Sequence, residues 1–236
     1  WLDLYVGNYL EFNYDKHVER RVDGLPAYPL PRDYDPVPDT LYCNNGDGTF
    51  TDISEASGIA QHSGTSMGMI AADYNDDGHT DLFVLNDVLE NFFFENDGAG
   101  HFQEVAVQNG TAYNFYGEAN ASMGVDCGDY DNDGLLDFFM TSYQTEMPVL
   151  YRNLGGGLLE DVTRRANAGE AMFAHVNWGI GLIDFDNDGN RDLFIANGHT
   201  EDNIDQRVRG AAYRAPNSLL RNRGDRDYMT LEVVEH

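Results

Sequence analysis

Three nine-residue segments of this chain place oxygen-bearing side chains at the spacing that a bound cation requires. In each segment Asp or Asn occupies positions 1, 3, 5 and 9, and Gly occupies position 6. Alternate side chains of a sharply turning backbone can converge on one ion, and Ca²⁺ takes roughly six to eight oxygen ligands. The pattern therefore predicts three or more bound calcium ions, one in each such loop. The loops are Asp73-Tyr-Asn-Asp-Asp-Gly-His-Thr-Asp81, Asp129-Tyr-Asp-Asn-Asp-Gly-Leu-Leu-Asp137 and Asp184-Phe-Asp-Asn-Asp-Gly-Asn-Arg-Asp192.

The predicted ligands are the side chains at positions 1, 3, 5 and 9 and the main-chain carbonyl at position 7. His79 is therefore predicted to bind through its backbone and not through its imidazole. Because no nitrogen or sulfur ligand is implied, calcium is favoured over zinc and copper, and the strict octahedron of magnesium fits such a loop less well. The predicted ligands are Asp73, Asn75, Asp77, His79 and Asp81; Asp129, Asp131, Asp133, Leu135 and Asp137; and Asp184, Asp186, Asp188, Asn190 and Asp192.

Two other interpretations of the loops are weaker. An EF-hand loop begins in the same way, but it needs a bidentate Glu at position 12 and flanking helices. Position 12 is Val84, Met140 or Ile195, each within an apolar run typical of a strand. In acidic turns that hold no ion, roughly three or four carboxylates would lie close together with no positive charge to offset their repulsion, which would destabilise the folded state.

The loops also mark an internal repeat, because they begin 56 and 55 residues apart. A Gly-containing apolar stretch precedes each loop and an apolar run follows it. Between loops an aromatic or aliphatic residue is followed by x-Asn-x-Gly, as in Phe94-Glu-Asn-Asp-Gly98 and Tyr151-Arg-Asn-Leu-Gly155. About four short strands per repeat, without helical periodicity, predict an all-β fold, a β-propeller of four-stranded blades.

Residues 1–230 are predicted to form about four blades of such a ring. Five prolines between residues 13 and 40 indicate an irregular insertion rather than a strand. Asp3-Leu-Tyr-Val-Gly-Asn8 aligns with Asp81-Leu-Phe-Val-Leu-Asn86, so Asp3 is predicted to be the ninth residue of a further Asp-rich loop. We therefore expect the chain to be a segment of a longer protein, with residues 231–236 as the possible start of a following domain.

The pattern resembles the FG-GAP/VCBS repeats of integrin-α-like β-propellers. Individual motifs within the repeats are similar to those of the cartilage acidic protein family, which has a C-terminal ASPIC/UnbV domain. Examples are Tyr42-Cys-Asn-Asn-Gly-Asp-Gly-Thr-Phe-Thr-Asp52 and Asn197-Gly-His199. The resemblance implies a calcium-loaded propeller, usually of seven blades, that is secreted or exposed at the cell envelope. It implies no catalytic role.

The amino-acid composition of the chain disfavours some classes of binding partner. The 236 residues include 41 acidic and only 14 basic ones, a formal net charge of −27. Such a chain lacks the basic surface that nucleic acids require, and no apolar run is long enough to span a membrane. We expect a protein or glycan partner, possibly within a larger assembly, that contacts the insertion 13–40 and the linker 109–121.

Two functional classes follow from these observations. The first is a calcium-stabilised extracellular binding or assembly module without catalytic activity, and the absence of a recognisable catalytic constellation favours it. The alternative is a propeller-scaffold enzyme, a lyase or hydratase acting on polysaccharide, with His175 or His199 in its site. A channel pocket that holds a metal beside a His or Tyr would favour the enzyme.

Overall fold

In the computed structural model, which describes residues 1–209 and 211–231, the chain consists largely of short antiparallel strands. The described helices are α1 (Ser54–Ser57) and α2 (Ala106–Asn109), and neither these nor the 3₁₀ turns are long enough to cross a membrane. The 3₁₀ turns are Tyr14–Lys16, Pro31–Asp33, Ile59–Gln61, Glu170–Met172 and Ile204–Gln206. The strands up to the first loop are β1 (Leu4–Val6), β2 (Arg20–Val22), β3 (Leu25–Ala27), β4 (Val37–Pro38), β5 (Thr40–Asn44), β6 (Phe50–Asp52), β7 (Ser63–Gly64) and β8 (Ser66–Ala72). The later strands are β9 (Asp81–Asn86), β10 (Phe92–Asn96), β11 (Phe102–Glu104), β12 (Ser122–Gly128), β13 (Asp137–Ser142), β14 (Val149–Asn153), β15 (Leu159–Asp161), β16 (Asn177–Ile183), β17 (Asp192–Asn197), β18 (Ser218–Asn222) and β19 (Tyr228–Leu231).

Most strands belong to four antiparallel sheets that follow one another along the chain, which we call blades 1 to 4. Blade 1 has the strand order β1–β5–β6, and blade 2 has the order β11–β10–β9–β8. Blades 3 and 4 have the orders β12–β13–β14–β15 and β16–β17–β18–β19. In blades 2 to 4 an Asp-rich loop joins the first strand to the second. These repeated sheets confirm the all-β prediction and give the chain a propeller-like fold.

The first strands of successive blades approach one another so closely that only glycine fits between them. A Cβ atom added to Gly68 in β8 would lie 1.9 Å from the carbonyl oxygen of Met123 in β12. One added to Gly124 in β12 would lie 2.2 Å from the carbonyl oxygen of Trp178 in β16. An added Cβ atom would clash with these carbonyl oxygens, and because they belong to the backbone no side-chain rotation could relieve the clash. The recurring glycine before each loop therefore lets β8, β12 and β16 gather around a common central space.

Apolar side chains of blades 2 and 3 pack against the blades on both sides. In β13, Phe138 points into a cluster shared with blade 2, where its ring meets Phe83 edge-on at 5.6 Å between centroids. The next residue, Phe139, points into a second cluster, shared with Leu193 and Leu220 of blade 4. Alternation along a strand sends successive side chains to opposite faces. Because both faces are buried, the strand after each loop is a continuous apolar run, and the blades depend on one another for stability.

The insertion between β1 and β5 contains more regular structure than its prolines predict. Residues 20–27 form a two-stranded sheet, β2–β3, whose turn is made by Asp23 and Gly24 with φ of 53° and 83°. An Asp-Gly pair is a typical hairpin turn. Pro26 lies within β3, which has only this one partner strand. Asn203 ties the insertion to the segment between β17 and β18 of blade 4, because its Nδ2 donates to the carbonyl of Pro26 at 3.1 Å.

At the other end of the chain, β19 completes blade 4 and ends at Leu231. The possible start of a following domain at 231–236 lies, apart from the backbone of Leu231, outside the described residues. That boundary therefore stays a prediction.

Candidate metal sites

Each Asp-rich loop closes on itself through hydrogen bonds to the carboxylate at position 1. In the first loop Asp73 accepts the N–H of Asp77 at 3.1 Å and the N–H of Gly78 at 2.9 Å. Asp129 and Asp184 make the same pair of bonds in the second and third loops, at distances from 2.8 to 3.1 Å. The three loops therefore share one hydrogen-bonded backbone conformation.

Two left-handed residues make the sharp turn possible. The glycines at position 6 have φ values from 86° to 92°, a region that strongly favours glycine. Position 4 is Asp76, Asn132 or Asn187, with φ between 59° and 60°, and Asp and Asn tolerate this conformation better than most residues. All three position-4 side chains are exposed. The turn thus directs position 4 to solvent and leaves positions 1, 3 and 5 on the inner side.

The carboxylates at position 9 are buried and fasten each loop to its blade. Asp81, Asp137 and Asp192 are at most 1% exposed. In each, one oxygen accepts the N–H of the position-2 residue, and the other accepts the N–H of an Asn in the third strand at 2.8 or 2.9 Å. Burial raises the pKa of Asp81 to about 6 and that of Asp137 to about 7, because desolvation disfavours the charged form. A cation held beside these carboxylates would favour the charged form again.

Two of the loops bring three carboxylates within reach of a single ion. In the second loop three carboxylate oxygens lie within 4.8 Å of one another, one each from Asp129, Asp131 and Asp137. In the third loop the same holds for one oxygen each from Asp184, Asp186 and Asp188. The Asp131 side chain is fully buried, and its Oδ1 has no hydrogen-bond partner in the described part of the chain. An orphaned buried oxygen within an all-oxygen donor set fits a hard divalent cation.

In the first two loops the residue at position 7 packs its side chain against the next hairpin turn, away from the carboxylates. The ring of His79 lies so close to Gly98, in the next hairpin turn, that an added Cβ there would be 2.4 Å from it. Leu135 and Asn190 lie against the glycines of the equivalent turns in blades 3 and 4. In the third loop the Nδ2 of Asn190 also donates to Oδ1 of Asp188 at 2.9 Å. The carbonyl at position 7 as a metal ligand stays a prediction.

Arginine side chains approach the second and third loops but not the first. Arg152 contacts Asp131 at 2.6 Å and Asp133 at 2.7 Å. Arg221 makes the equivalent two contacts in the third loop, at 2.7 and 3.0 Å. Both arginines directly precede the Asn of the x-Asn-x-Gly motif, and the residue at that place in blade 2 is Glu95. The loops therefore have the same backbone conformation but differ in the charged side chains around their carboxylates.

The Asn of this motif has the same bonding in every blade. Its Nδ2 donates to the carbonyl of loop position 8, and its Oδ1 accepts the N–H of the Gly two residues later. In blade 1 this residue is Asn44, and its N–H is accepted by Asp3 at 2.8 Å, as the position-9 carboxylates do elsewhere. Asp3 thus stands where a ninth loop residue is expected, while its role as a metal ligand stays a prediction.

Two of these asparagines also connect neighbouring blades. Asn153 of blade 3 donates at 2.7 Å to the carbonyl of Tyr74, the position-2 residue of the loop in blade 2. Asn222 of blade 4 donates at the same distance to Tyr130 of blade 3. The first and second loops are thereby held by their own blade and by the next one.

A second candidate site lies at the other end of the blades. A cavity of ≈ 890 Å³, which we call the channel-mouth cavity, is lined by Met67 and Met123 from the starts of β8 and β12 and by residues of the insertion and of blades 2 to 4. His199 lines it, with Nε2 3.5 Å from the hydroxyl of Tyr143, whereas His175 does not. The sequence did not single out the other polar residues here, since they come from four separate segments.

Known proteins share both the repeats and their order. The FG-GAP-like repeat model matches residues 32–84, 73–140 and 129–195. Cartilage acidic protein 1 from Xenopus tropicalis is 28% identical over 170 residues, covering 69% of this chain and 25% of the relative. The human protein of that name is 26% identical over 177 residues, with the same coverage. The matched region thus spans about a quarter of the length of these relatives.

Among solved structures, the chain is similar to that of a lectin from Agrocybe aegerita. That structure is described as showing the structural basis of specific recognition of non-reducing terminal N-acetylglucosamine. The TM-score is 0.42 and the identity 16%, over 82% of this chain and 45% of that one. The assignment of the family depends instead on the repeats, which together extend from residue 32 to residue 195, more than half of the chain. This protein belongs to the FG-GAP-like repeat family and resembles its cartilage acidic protein members.

Proposed function

We propose that this protein is a calcium-stabilised binding module that acts outside the cytoplasm and associates with another protein. The observation that supports it best is the repeated loop, whose second and third copies each bring three carboxylates together, with the orphaned oxygen of Asp131 in the second. Calcium neutralises charge that would otherwise loosen the blades, because the loops hold much of the net charge of −27. In this proposal the chain supplies part of a larger ring, of seven blades as in the family it resembles.

An extracellular location follows from the chemistry of the proposed sites. Modules that bind calcium through exposed loops typically do so at about 10⁻⁴–10⁻³ M, which matches extracellular and not cytosolic calcium. Cartilage acidic protein 1, by its name, belongs to cartilage, and its similarity to this chain supports the same assignment. The acidic surface suits a partner with basic groups and disfavours nucleic acids and anionic membranes.

The insertion and the linker 109–121 are the proposed contact surfaces, and both expose aromatic side chains. Tyr28 in the insertion is 63% exposed, and Phe115 and Tyr116 in the linker are 76% and 64% exposed. Arg164 holds Tyr116 in place, with its guanidinium 5.5 Å from the ring centroid. Exposed aromatic and arginine side chains are the residue types that protein interfaces favour. A glycan would also stack on such rings, so it is the alternative ligand for this surface.

Replacing residues 20–36 with a short Gly/Ser linker is expected to abolish partner association while leaving calcium binding and the melting temperature in calcium nearly unchanged. The replacement removes the β2–β3 sheet but ends before Val37, so the pairing of β4 with β7 is kept. Association is measured by mass spectrometry of extracellular proteins retained with and without calcium. Leu158→Ser, an exposed apolar residue in a blade 3 hairpin, is the control. Unchanged retention by the replaced protein would contradict the proposed surface.

The arginines are expected to weaken calcium binding at the second and third loops relative to the first. Arg152→Gln should raise the affinity of the second loop about two- to fivefold, since its ion pairs with Asp131 and Asp133 no longer compete with the ion, while Arg226 still contacts Asp131 at 3.0 Å. Isothermal titration calorimetry measures this change. Arg20→Gln breaks a comparable ion pair with Asp33, far from the loops, and should leave calcium affinity as it is. A drop in affinity on Arg152→Gln would show that the arginine supports the site.

A propeller-scaffold enzyme acting on polysaccharide is the second candidate. The observation that favours it is the channel-mouth cavity, where His199 lies beside Tyr143. Turnover of a polysaccharide that is lost in His199→Ala and kept in His175→Ala would establish that the protein is such an enzyme.

A further inference from the structure

The channel-mouth cavity lies far from the Asp-rich loops. Each loop follows the end of a first strand, whereas the cavity adjoins the start of the same strands at Met67 and Met123. Seven residues of strand separate the two ends of β8, which corresponds to roughly 20 Å. Its volume of ≈ 890 Å³ is within the usual range for ligand pockets. A ligand of side-chain size therefore fits here without disturbing the loops.

Two carboxylates in this cavity have no ionic partner. Asp87 of blade 2 is 8% exposed, and Glu146 of blade 3 is half-buried. They meet at Ala121, which bridges to Asp87 and donates its N–H to Glu146 at 2.8 Å. Among the described residues neither forms a salt bridge, although Glu201 in the same cavity pairs with Arg207. Burial raises the pKa of both Asp87 and Glu146, which shows how poorly their charges are compensated.

The cationic and imidazole groups nearby do not supply the missing charge. Arg32 attracts both carboxylates, and Arg214 lines the cavity, but neither arginine forms an ion pair within the described residues. His199 is neutral, because its Nδ1 accepts the N–H of Glu201 at 3.0 Å and its proton must then be on Nε2. Burial also lowers the pKa of His199, in agreement with a neutral ring. The cavity thus keeps two carboxylates in need of a positive charge.

Three aromatic side chains line the same cavity as these carboxylates, namely Tyr9, Tyr143 and Trp178. Tyr9 donates its hydroxyl to Asp87 at 2.6 Å, and Tyr143 lies within 3.2 Å of the Thr200 hydroxyl. The indole N–H of Trp178 is used by the carbonyl of Gly198 at 2.8 Å, so its ring presents only an apolar surface to the cavity. Tyrosine and tryptophan faces attract ammonium and guanidinium groups. An aromatic wall with carboxylates at its base is the arrangement expected for an organic cation.

Strained backbone holds the acidic side chains in place. Val88, next to Asp87, and Thr145, next to Glu146, have φ of 61° and 67°. A β-branched residue in this region is rare, and such strain concentrates at functional sites. Each strained residue is fixed by a backbone bond, from Val88 to the carbonyl of Asn120 at 3.0 Å and from Thr145 to Phe173 at 2.7 Å. The two positions are therefore held by the fold rather than left free to adjust.

We propose that the channel-mouth cavity binds an organic cation, an ammonium or guanidinium group, whose charge is received by Asp87 and Glu146 and whose apolar stem packs against Tyr9, Tyr143 and Trp178. The inference deepens the proposed function and rests on it for the source of the cation, which is a lysine or arginine side chain of the partner protein. The aromatic and acidic groups alone would recognise a free amine of the same size.

The test uses Nα-acetyl-arginine amide as the probe and the neutral Nα-acetyl-citrulline amide as its matched analogue. Binding is followed by the fluorescence of Trp178 in the Trp1→Phe chain with calcium present, because Trp1 and Trp178 are the two tryptophans. Saturable binding of the arginine probe is expected, with the citrulline probe about tenfold weaker or more. Glu146→Gln should weaken the arginine probe by a similar factor, and Glu170→Gln, an exposed residue outside the cavity, should not.

Each outcome decides the proposal. Equal binding of the two probes, tighter binding of N-acetylglucosamine than of the arginine probe, or no binding at all would overturn it. Glu146→Gln carries the test, since Asp87→Asn also alters a buried hydrogen bond with Tyr9, and an unchanged melting temperature in calcium shows that the variant is folded. Calcium-dependent partner association that persists in Glu146→Gln would leave the binding module intact while removing this site from it.

Discussion

Removal of calcium is expected to lower the melting temperature of this protein by about 8–32 °C. An ion that binds only the folded state stabilises it by RT ln(1 + [L]/Kd). With Kd of about 10⁻⁴–10⁻³ M, 10 mM calcium contributes roughly 1.4–2.7 kcal/mol per loop, or about 4–8 kcal/mol for three loops. For a chain of this size about 1 kcal/mol corresponds to roughly 2–4 °C. Differential scanning calorimetry in calcium and in excess chelator measures the change.

Single-loop variants separate calcium binding from a general effect of ionic strength. Asp133→Ala should remove one site and reduce the calcium-dependent shift by about a third, because each blade carries its own loop. Asp76→Ala changes a carboxylate of the first loop that faces solvent and should keep the full shift. A melting temperature that chelator leaves unchanged would contradict the calcium proposal, and so would an equal shift with magnesium.

The loops and strands could be predicted from sequence because their causes are local. A loop that needs glycine at position 6 and oxygens at alternate positions shows both in nine consecutive residues, and its bonds in the structure are mostly internal. The strands after the first two loops are buried on both faces, since each packs between two blades, so their apolar runs indicate burial directly. The hairpin at residues 20–27 was less visible, because Pro26 obscures the Asp-Gly turn before it.

The remaining features depend on which blade lies beside which. Whether a loop carboxylate meets Arg152 or Glu95 is decided by one residue on a strand that the loop motif does not include. The channel-mouth cavity collects Tyr9, Asp87 and Glu146 from segments up to 137 positions apart, and no local pattern marks them as neighbours. Such sites become visible only when the blades are placed side by side.

Removing the asparagine that connects two blades is expected to destabilise the protein strongly. Asn153→Ala should lower the free energy of unfolding by about 3 kcal/mol, because three partners of this fully buried side chain lose their bonds at roughly 1 kcal/mol each. Its Nδ2 donates to the carbonyls of Tyr74 at 2.7 Å and Leu136 at 3.1 Å, and its Oδ1 accepts the N–H of Gly155 at 2.9 Å. Urea unfolding in saturating calcium measures the loss.

The first blade offers a matched control for this bond between blades. Asn44 has the same motif and the same two bonds within its blade, to Leu2 and Gly46, but it is only partly buried and makes no bond to another blade in the described chain. Water can replace its partners, so Asn44→Ala should cost about 1 kcal/mol or less. Asn153→Asp keeps the acceptor for Gly155 but places a negative charge against two carbonyl oxygens, and it should destabilise at least as much as the alanine variant. Equal costs for Asn153→Ala and Asn44→Ala would show that the contact between blades adds no stability, and that the blades are held together by their apolar faces alone.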